Sequence, residues 1–172
     1  MILIGIGSNL ASREYETPAE TAAAAVAQLP ALGIEVVARS PWYLSEPVPV
    51  SGQPWFVNAV LKVAATLEPR ALLERLLALE GRFGRQRGAP NAARTLDLDL
   101  LDYDGRLVDT TALVLPHPRL HERRFVLAPL CDLAPDWRHP RLGLTAAQLL
   151  ARLPAGQSIR VADDRRCGAR LR

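Results

Sequence analysis

The chain has 172 residues, 49% apolar and 23% charged, which is enough for one domain with its own core and too apolar for a disordered polypeptide. Its net charge is +3, but from Arg160 onward five arginines face only Asp163 and Asp164, so the excess sits in that tail and residues 1–159 are neutral. A basic face broad enough for nucleic acid is therefore excluded from the main body, and no uncharged stretch approaches the ~20 residues of a membrane helix.

The opening segment, MILIGIGSNL, carries no positive leader, so a cytoplasmic protein is expected. Ile2–Ile6 is apolar and β-branched and predicts a buried strand ending at Gly7. Thr17-Pro18-Ala19-Glu20 has the residues of a capping box with Pro at the first helical position. It predicts an Ala-rich helix to about Leu29, stopped by Pro30 and Gly33. Ile34–Arg39 reads as a second strand. Pro41–Pro54 holds four prolines and predicts an irregular segment, the kind of loop that carries function on a scaffold.

Phe56–Thr66 alternates as a strand. Pro69–Gly81 predicts an amphipathic helix with Leu72, Leu73, Leu76, Leu77 and Leu79 as its apolar stripe and Arg70–Glu74 as an i,i+4 pair. Gly81–Ala93 is Gly- and Arg-rich and reads as a mobile loop. Thr95–Tyr103 is the next strand, with Asp104-Gly105 as a hairpin turn signal. Leu115–Pro118 is extended by its prolines, and His121–Leu130 and Thr145–Leu153 read as helices. Cys131 and Cys167 have no metal or redox spacing and are expected to be reduced thiols. Together these elements predict a single α+β domain over 1–159 with a mainly antiparallel sheet, followed by a poorly ordered basic tail over 160–172.

Several chemistries are eliminated by what is missing. Leu10 stands where a dinucleotide fingerprint needs its third glycine, and Lys62, the sole lysine, follows no phosphate loop. No Gly-x-Ser-x-Gly elbow is present, and Pro118 separates His117 from His121 without a zincin Glu. With twenty arginines and one lysine, any phosphate clamp here must use guanidinium groups or backbone N–H.

The strongest feature is Arg94-Thr-Leu-Asp-Leu-Asp-Leu-Leu101. On a strand, Leu96, Leu98 and Leu100 face one side while Asp97 and Asp99 share the other, roughly 6–7 Å apart by strand rise. Two such carboxylates repel unless a cation lies between them, and Mg²⁺ completes such a pair with water and substrate phosphate. The bland alternative is a strand with a polar surface face. Arg82, Arg85, Arg87 and Arg94 precede the strand with no acid between Glu80 and Asp97, which suits a polyphosphate or else a solvated charge run. In the Leu115–Leu127 segment, His117, Arg123 and Arg124 are within reach of phosphates. Phe125 is either a core ring or a stacking surface. Asn58 inside an apolar strand must spend its amide on a turn or on a flat polar ligand.

Taken as an ordered series, these segments resemble the 6-hydroxymethyl-7,8-dihydropterin pyrophosphokinase family. The resemblance rests on Gly7-Ser8-Asn9-Leu10, on Tyr43-x-Ser45-Glu46-Pro47 with Gln53-Pro54-x-Phe56-x-Asn58, on Arg94–Asp99, and on Leu115–Arg119 leading to Arg123-x-Phe125. It implies a ferredoxin-like α/β/α sandwich and transfer of pyrophosphate from ATP to the pterin hydroxymethyl group, with AMP released. By the resemblance, Asp97 and Asp99 hold two Mg²⁺, and Arg85 and Arg94 belong to a catalytic loop. His117 and Arg123 contact ATP phosphates. The pterin lies between Phe56 and Phe125, hydrogen-bonded by Asn58 and by backbone in the Ser45, Glu46, Val48 loop, with Glu80 supporting the network. A cytoplasmic monomer without nucleic-acid or membrane partners is expected. The sequence departs from the family at Asn91-Ala92-Ala93, where a Trp and a basic residue are common, and at Pro118, where an aromatic is common. The competing readings are a small sheet binding RNA through Phe56 and Phe125, and another Mg²⁺-dependent phosphotransferase or phosphatase.

Overall fold

Seven consecutive buried residues make β1 (Ile2–Ser8) a central strand, and it runs one residue past the expected stop at Gly7. The computed structural model describes residues 1–85 and 92–163. Arg87 and residues 164–172 of the expected tail lie outside the described residues.

The sequence then forms α1 (Pro18–Gln28), β2 (Glu35–Arg39), β3 (Tyr43–Ser45), β4 (Phe56–Ala64), α2 (Pro69–Arg82) and β5 (Asp97–Tyr103). A small ribbon, β6 (Val108–Asp109) with β7 (Val114–Leu115), precedes α3 (Arg124–Leu133), α4 (Ala146–Arg152) and β8 (Ile159–Val161). The main sheet has the order β5-β1-β4-β3-β8, and β2 also pairs with β4. All these pairings are antiparallel. β2 meets β4 at Leu61–Ala64 and β3 meets it at Phe56–Asn58, so the two short strands share one edge in tandem.

Local chemistry explains the elements. Thr17 and Glu20 close the capping box of α1, and Thr145 with Gln148 does the same for α4. The α2 stripe buries Leu72, Leu76 and Leu79 completely, each contributing about 1.5–3 kcal/mol. α1 and α2 cover one face of the sheet in a core with Ile4, Leu61, Leu98 and Leu100. α3 and α4 cover the other with Leu3, Val60 and Leu101.

Four expectations need correction. The Pro-rich 41–54 segment is not irregular throughout: Tyr43–Ser45 forms β3, because its three non-proline residues present free N–H groups to β4. The helix expected from His121 begins at Arg124, since Arg123 is extended (φ −109°, ψ 105°) after a 3₁₀ turn over Leu120–Glu122. The tail expected from Arg160 starts inside an element, since Ile159–Val161 adds β8 to β3. Asp104 and Gly105 make the expected tight turn with positive φ (52° and 67°), but the strand after it pairs with β7 rather than folding back on β5.

Candidate active site

The ends of β1, β4 and β5 meet beside the β3 loop and the start of α3, and a cavity opens there. Alternation along β5 sends Leu98 and Leu100 into the core and turns Asp97 and Asp99 toward the cavity. Gly7, paired with both Asn58 and Asp97, separates the two ends of the site. A Cβ at Gly7 would stand 3.0 Å from Asn58 Oδ1, so only glycine leaves the Asn58 amide its place.

One end is flat and neutral. Asn58 is buried and its Nδ2 donates to Ser45 Oγ (2.9 Å), which is also buried. Phe56, Phe125, Glu46 and Val48 line the same end. The other end is ionic. Arg94 Nη1 donates to Asp97 Oδ2 (2.7 Å), Arg85 Nη1 lies 2.8 Å from Asp97 Oδ1, and Arg123 Nη1 donates to Asp99 Oδ2 (2.7 Å). Arg123 also lies over the Phe125 ring at 5.6 Å, joining the two ends. Beneath them Glu80, nearly fully buried, accepts from Leu98 N–H (2.6 Å) and from Arg85.

The electrostatics follow from this packing. Burial pushes the Asp97 carboxyl up, and the Asp99 charge adds to that, against the pull of Arg94 and Arg85. Burial also raises Glu80 to about 7, although Leu98 N–H and Arg85 act in the opposite sense. Burial lowers His117. The Arg119 N–H donates to His117 Nδ1 (3.2 Å), so the neutral ring carries its hydrogen on Nε2, which faces Asp99 Oδ2 at 3.8 Å.

Asp97 Oδ1 supplies a test of cation binding. It is buried and accepts no hydrogen bond, because the Arg85 N–H groups are near it but not aimed at it. A buried carboxylate oxygen in that condition beside a second carboxylate fits a hard cation. Among the described residues no cluster of three or more His, Cys, Asp and Glu forms a closed metal cage. With two carboxylates, the pair could hold a cation only in an open site, with water and phosphate as the remaining ligands.

The structure thus brings together Ser45, Glu46, Val48, Phe56, Asn58, Arg94, Asp97, Asp99, Arg123 and Phe125 on the cavity wall, with Arg85 and His117 touching its carboxylates. It adds residues that the sequence reading left out. Asn9 is buried and its Oδ1 accepts from Arg94 N–H (2.7 Å), while its Nδ2 donates to Pro54 O (3.2 Å) and Gln53 Oε1 (3.3 Å). Ser8 Oγ donates to Thr95 O (2.7 Å). These two side chains staple the arginine segment to the neutral end, and their signal was the unexplained polar pair closing an apolar strand. Arg119, Glu122 and Gln157 also line the cavity.

The sequence profile of the 7,8-dihydro-6-hydroxymethylpterin-pyrophosphokinase family matches residues 3–135. The chain belongs to that family. It is thereby placed among pyrophosphokinases, which are diphosphotransferases. It is 41% identical over 153 residues to the 2-amino-4-hydroxy-6-hydroxymethyldihydropteridine pyrophosphokinase of Pseudomonas aeruginosa, covering 89% of this chain and 91% of that one. The protein of the same name from Synechocystis is 39% identical over 149 residues, 86% of this chain and 73% of its own. The folic acid synthesis protein fol1 of Pneumocystis carinii is 36% identical over 152 residues, which make up only 20% of that longer chain. Among solved structures, Plasmodium falciparum HPPK-DHPS crystallised with pteroate is similar in fold, with a TM-score of 0.62 at 11% identity. The match covers 87% of this chain and 43% of that one.

Proposed function

We propose that the chain transfers the pyrophosphoryl group of ATP to 6-hydroxymethyl-7,8-dihydropterin with Mg²⁺, giving AMP and the pterin diphosphate for folate synthesis. The observation that carries this reading is one cavity with a flat amide-and-ring end joined to a carboxylate–arginine end. The βαββαβ order with β5-β1-β4 and the tandem β2 and β3 supports a ferredoxin-like α/β/α sandwich as its scaffold. The reading is of a monomer acting in the cytoplasm. Among the described residues no helix is long and apolar enough to cross a membrane.

In this reading Phe56 and Phe125 sandwich the pterin ring, and Asn58 and the Ser45–Val48 backbone hold its polar edge. Asp97 and Asp99 hold Mg²⁺, two ions being expected, which supplies charge neutralisation on the phosphates and in-line alignment. Arg85 and Arg94 leave Asp97 and turn to phosphate oxygens, exchanging an internal ion pair for a bidentate external one. Arg123 and the Nε2–H of His117 face the same phosphates from the α3 side. The pterin hydroxyl oxygen bonds to the β-phosphorus as the bond to the α-phosphate oxygen breaks. His117 Nδ1 is already an acceptor and Glu80 is shut in the core, so neither of these two serves as a strong base. The hydroxyl proton therefore leaves late, to water or phosphate.

Incubation with ATP, Mg²⁺ and 6-hydroxymethyl-7,8-dihydropterin, followed by separation of the nucleotides, tests this. AMP with a pterin diphosphate is expected. ADP with a pterin monophosphate overturns the reaction type, and the absence of pterin-dependent turnover overturns the acceptor.

A further inference from the structure

The segment that leads into β8 does little for the core. Arg160 is exposed and Val161 is 56% exposed, and only the following Ala162 is buried. A three-residue edge strand of this kind is marginal on its own. It is held by the β3 ladder and by the Ala162 N–H on Trp42 O, and the residues just before it bond to one residue of the cavity wall. Gln157 Nε2 donates to Glu46 O (3.0 Å), Ser158 N–H donates to Glu46 Oε2 (3.1 Å), and Glu46 N–H donates to Ser158 O (3.0 Å). Every polar group of the Glu46 backbone is thereby held by residues 157 and 158. Gln157 itself lines the cavity, and among the described residues its Oε1 accepts no hydrogen bond. At the far end of the same loop, the Arg160 guanidinium lies over the Trp55 ring at 5.3 Å. The 157–160 segment therefore grips the loop at both ends, just before Pro47-Val48 and just before Phe56.

We infer that Gln157, beyond the residues 3–135 that match the family, is a positioning residue for the flat acceptor, acting through the Glu46 peptide it fixes. This rests on the reading of the neutral end as the pterin subsite. A loop free to turn at Glu46 would present the Val48 backbone in several orientations, and ordering it on binding would cost affinity. With Gln157 in place that order exists before the acceptor arrives. Among the described residues the Gln157 side chain hydrogen-bonds to Glu46 and to none of the ionic groups, so the effect should fall on one substrate.

The test is Gln157→Glu, which keeps the shape and removes the donor. Loss of one neutral hydrogen bond predicts a pterin KM and Kd raised about five- to tenfold. kcat, the affinity for Mg²⁺ with a non-hydrolysable ATP analogue, and the melting temperature should stay near those of the parent. Equal losses for both substrates, or an unchanged pterin KM, overturn the inference. Gln157→Met, of similar length and without a donor, gives the same decision should the Glu variant fail to fold. A parent that turns over no pterin fails the functional reading itself, whereas an active parent matched by both variants fails this inference alone.

Discussion

The two ends of the cavity are prepared in opposite ways. At the neutral end the groups are satisfied by neighbouring backbone segments. Asn58 rests on Ser45 across the β3–β4 ladder, and the loop beyond is held by Gln157 and Ser158, just before β8. At the ionic end the charges pair with one another, although Asp97 Oδ1 accepts no hydrogen bond: Arg85 and Arg94 lie on Asp97, and Arg123 lies on Asp99. On the proposed function, a flat acceptor would meet a surface already in place, while a charged co-substrate would displace internal ion pairs before it is held. The first arrangement saves ordering entropy on binding. The second keeps buried charges paired in the free protein, where isolated ones would be costly.

The sharpest way to break the contrast is Asp97→Ala. It removes the cation position and should cost about 3–5 kcal/mol of transition-state stabilisation, two to four orders of magnitude in turnover. Near-parental turnover, read as AMP formed per minute, would remove the assignment of Asp97. Arg94→Ala comes next, with kcat lowered about a hundredfold and the dissociation constant for Mg²⁺ and ATP changed far less. The Arg94 backbone remains pinned by Asn9 in that variant, so pterin binding should not move. Equal losses in kcat and ATP affinity would contradict a guanidinium acting late.

At the neutral end, Asn58→Ala should raise the pterin KM about tenfold, through loss of a buried hydrogen-bonding amide. Steady-state kinetics with each substrate varied in turn separates this from any effect on ATP.

The smallest effect distinguishes the ends by pH. The Glu80 carboxyl titrates near 7 in the fold, owing mainly to burial, and near 4.5 in the unfolded chain. Between those values the folded state holds the extra proton, so the Glu80 contribution to stability is full below about 4.5 and declines as pH rises to about 7. Urea unfolding at pH 5 and pH 8 should show a smaller decline for Glu80→Gln than for the parent, while Asn58→Ala leaves the decline unchanged.

Much of this was legible in the sequence where a local rule acts alone. The capping residues Thr17 and Glu20 set the start of α1, the leucine spacing set α2, and the Asp–Leu alternation placed both carboxylates on one face of β5. What escaped was decided by distant partners. Tyr43–Ser45 is too short to announce a strand among prolines, and only the free edge of β4 makes it one. Ile159–Val161 carries an arginine and too few apolar residues, and β3 recruits it. Alternation also fails late in β5, where a bulge places Leu101 between partners of Ile4 and Leu3. Asp102 then accepts from Trp137 Nε1 (2.7 Å) instead of pointing into a leucine core. At the site, charge and motif picked out residues that the fold brings to one cavity. The staples Ser8, Asn9 and Gln157 were not legible as such, because their purpose lies in backbone groups contributed by other segments.

The tandem placement of β2 and β3 along β4 makes the sheet wider at one end than at the other. Beside Phe56–Asn58 the row continues through β3 to β8, whereas beside Leu61–Ala64 it stops at β2, where Val37 is 54% exposed. Amide exchange in β2 is therefore expected to be faster than in the Phe56–Asn58 stretch of β4 beside the cavity. Fraying of β2 would in this way leave the cavity wall in place.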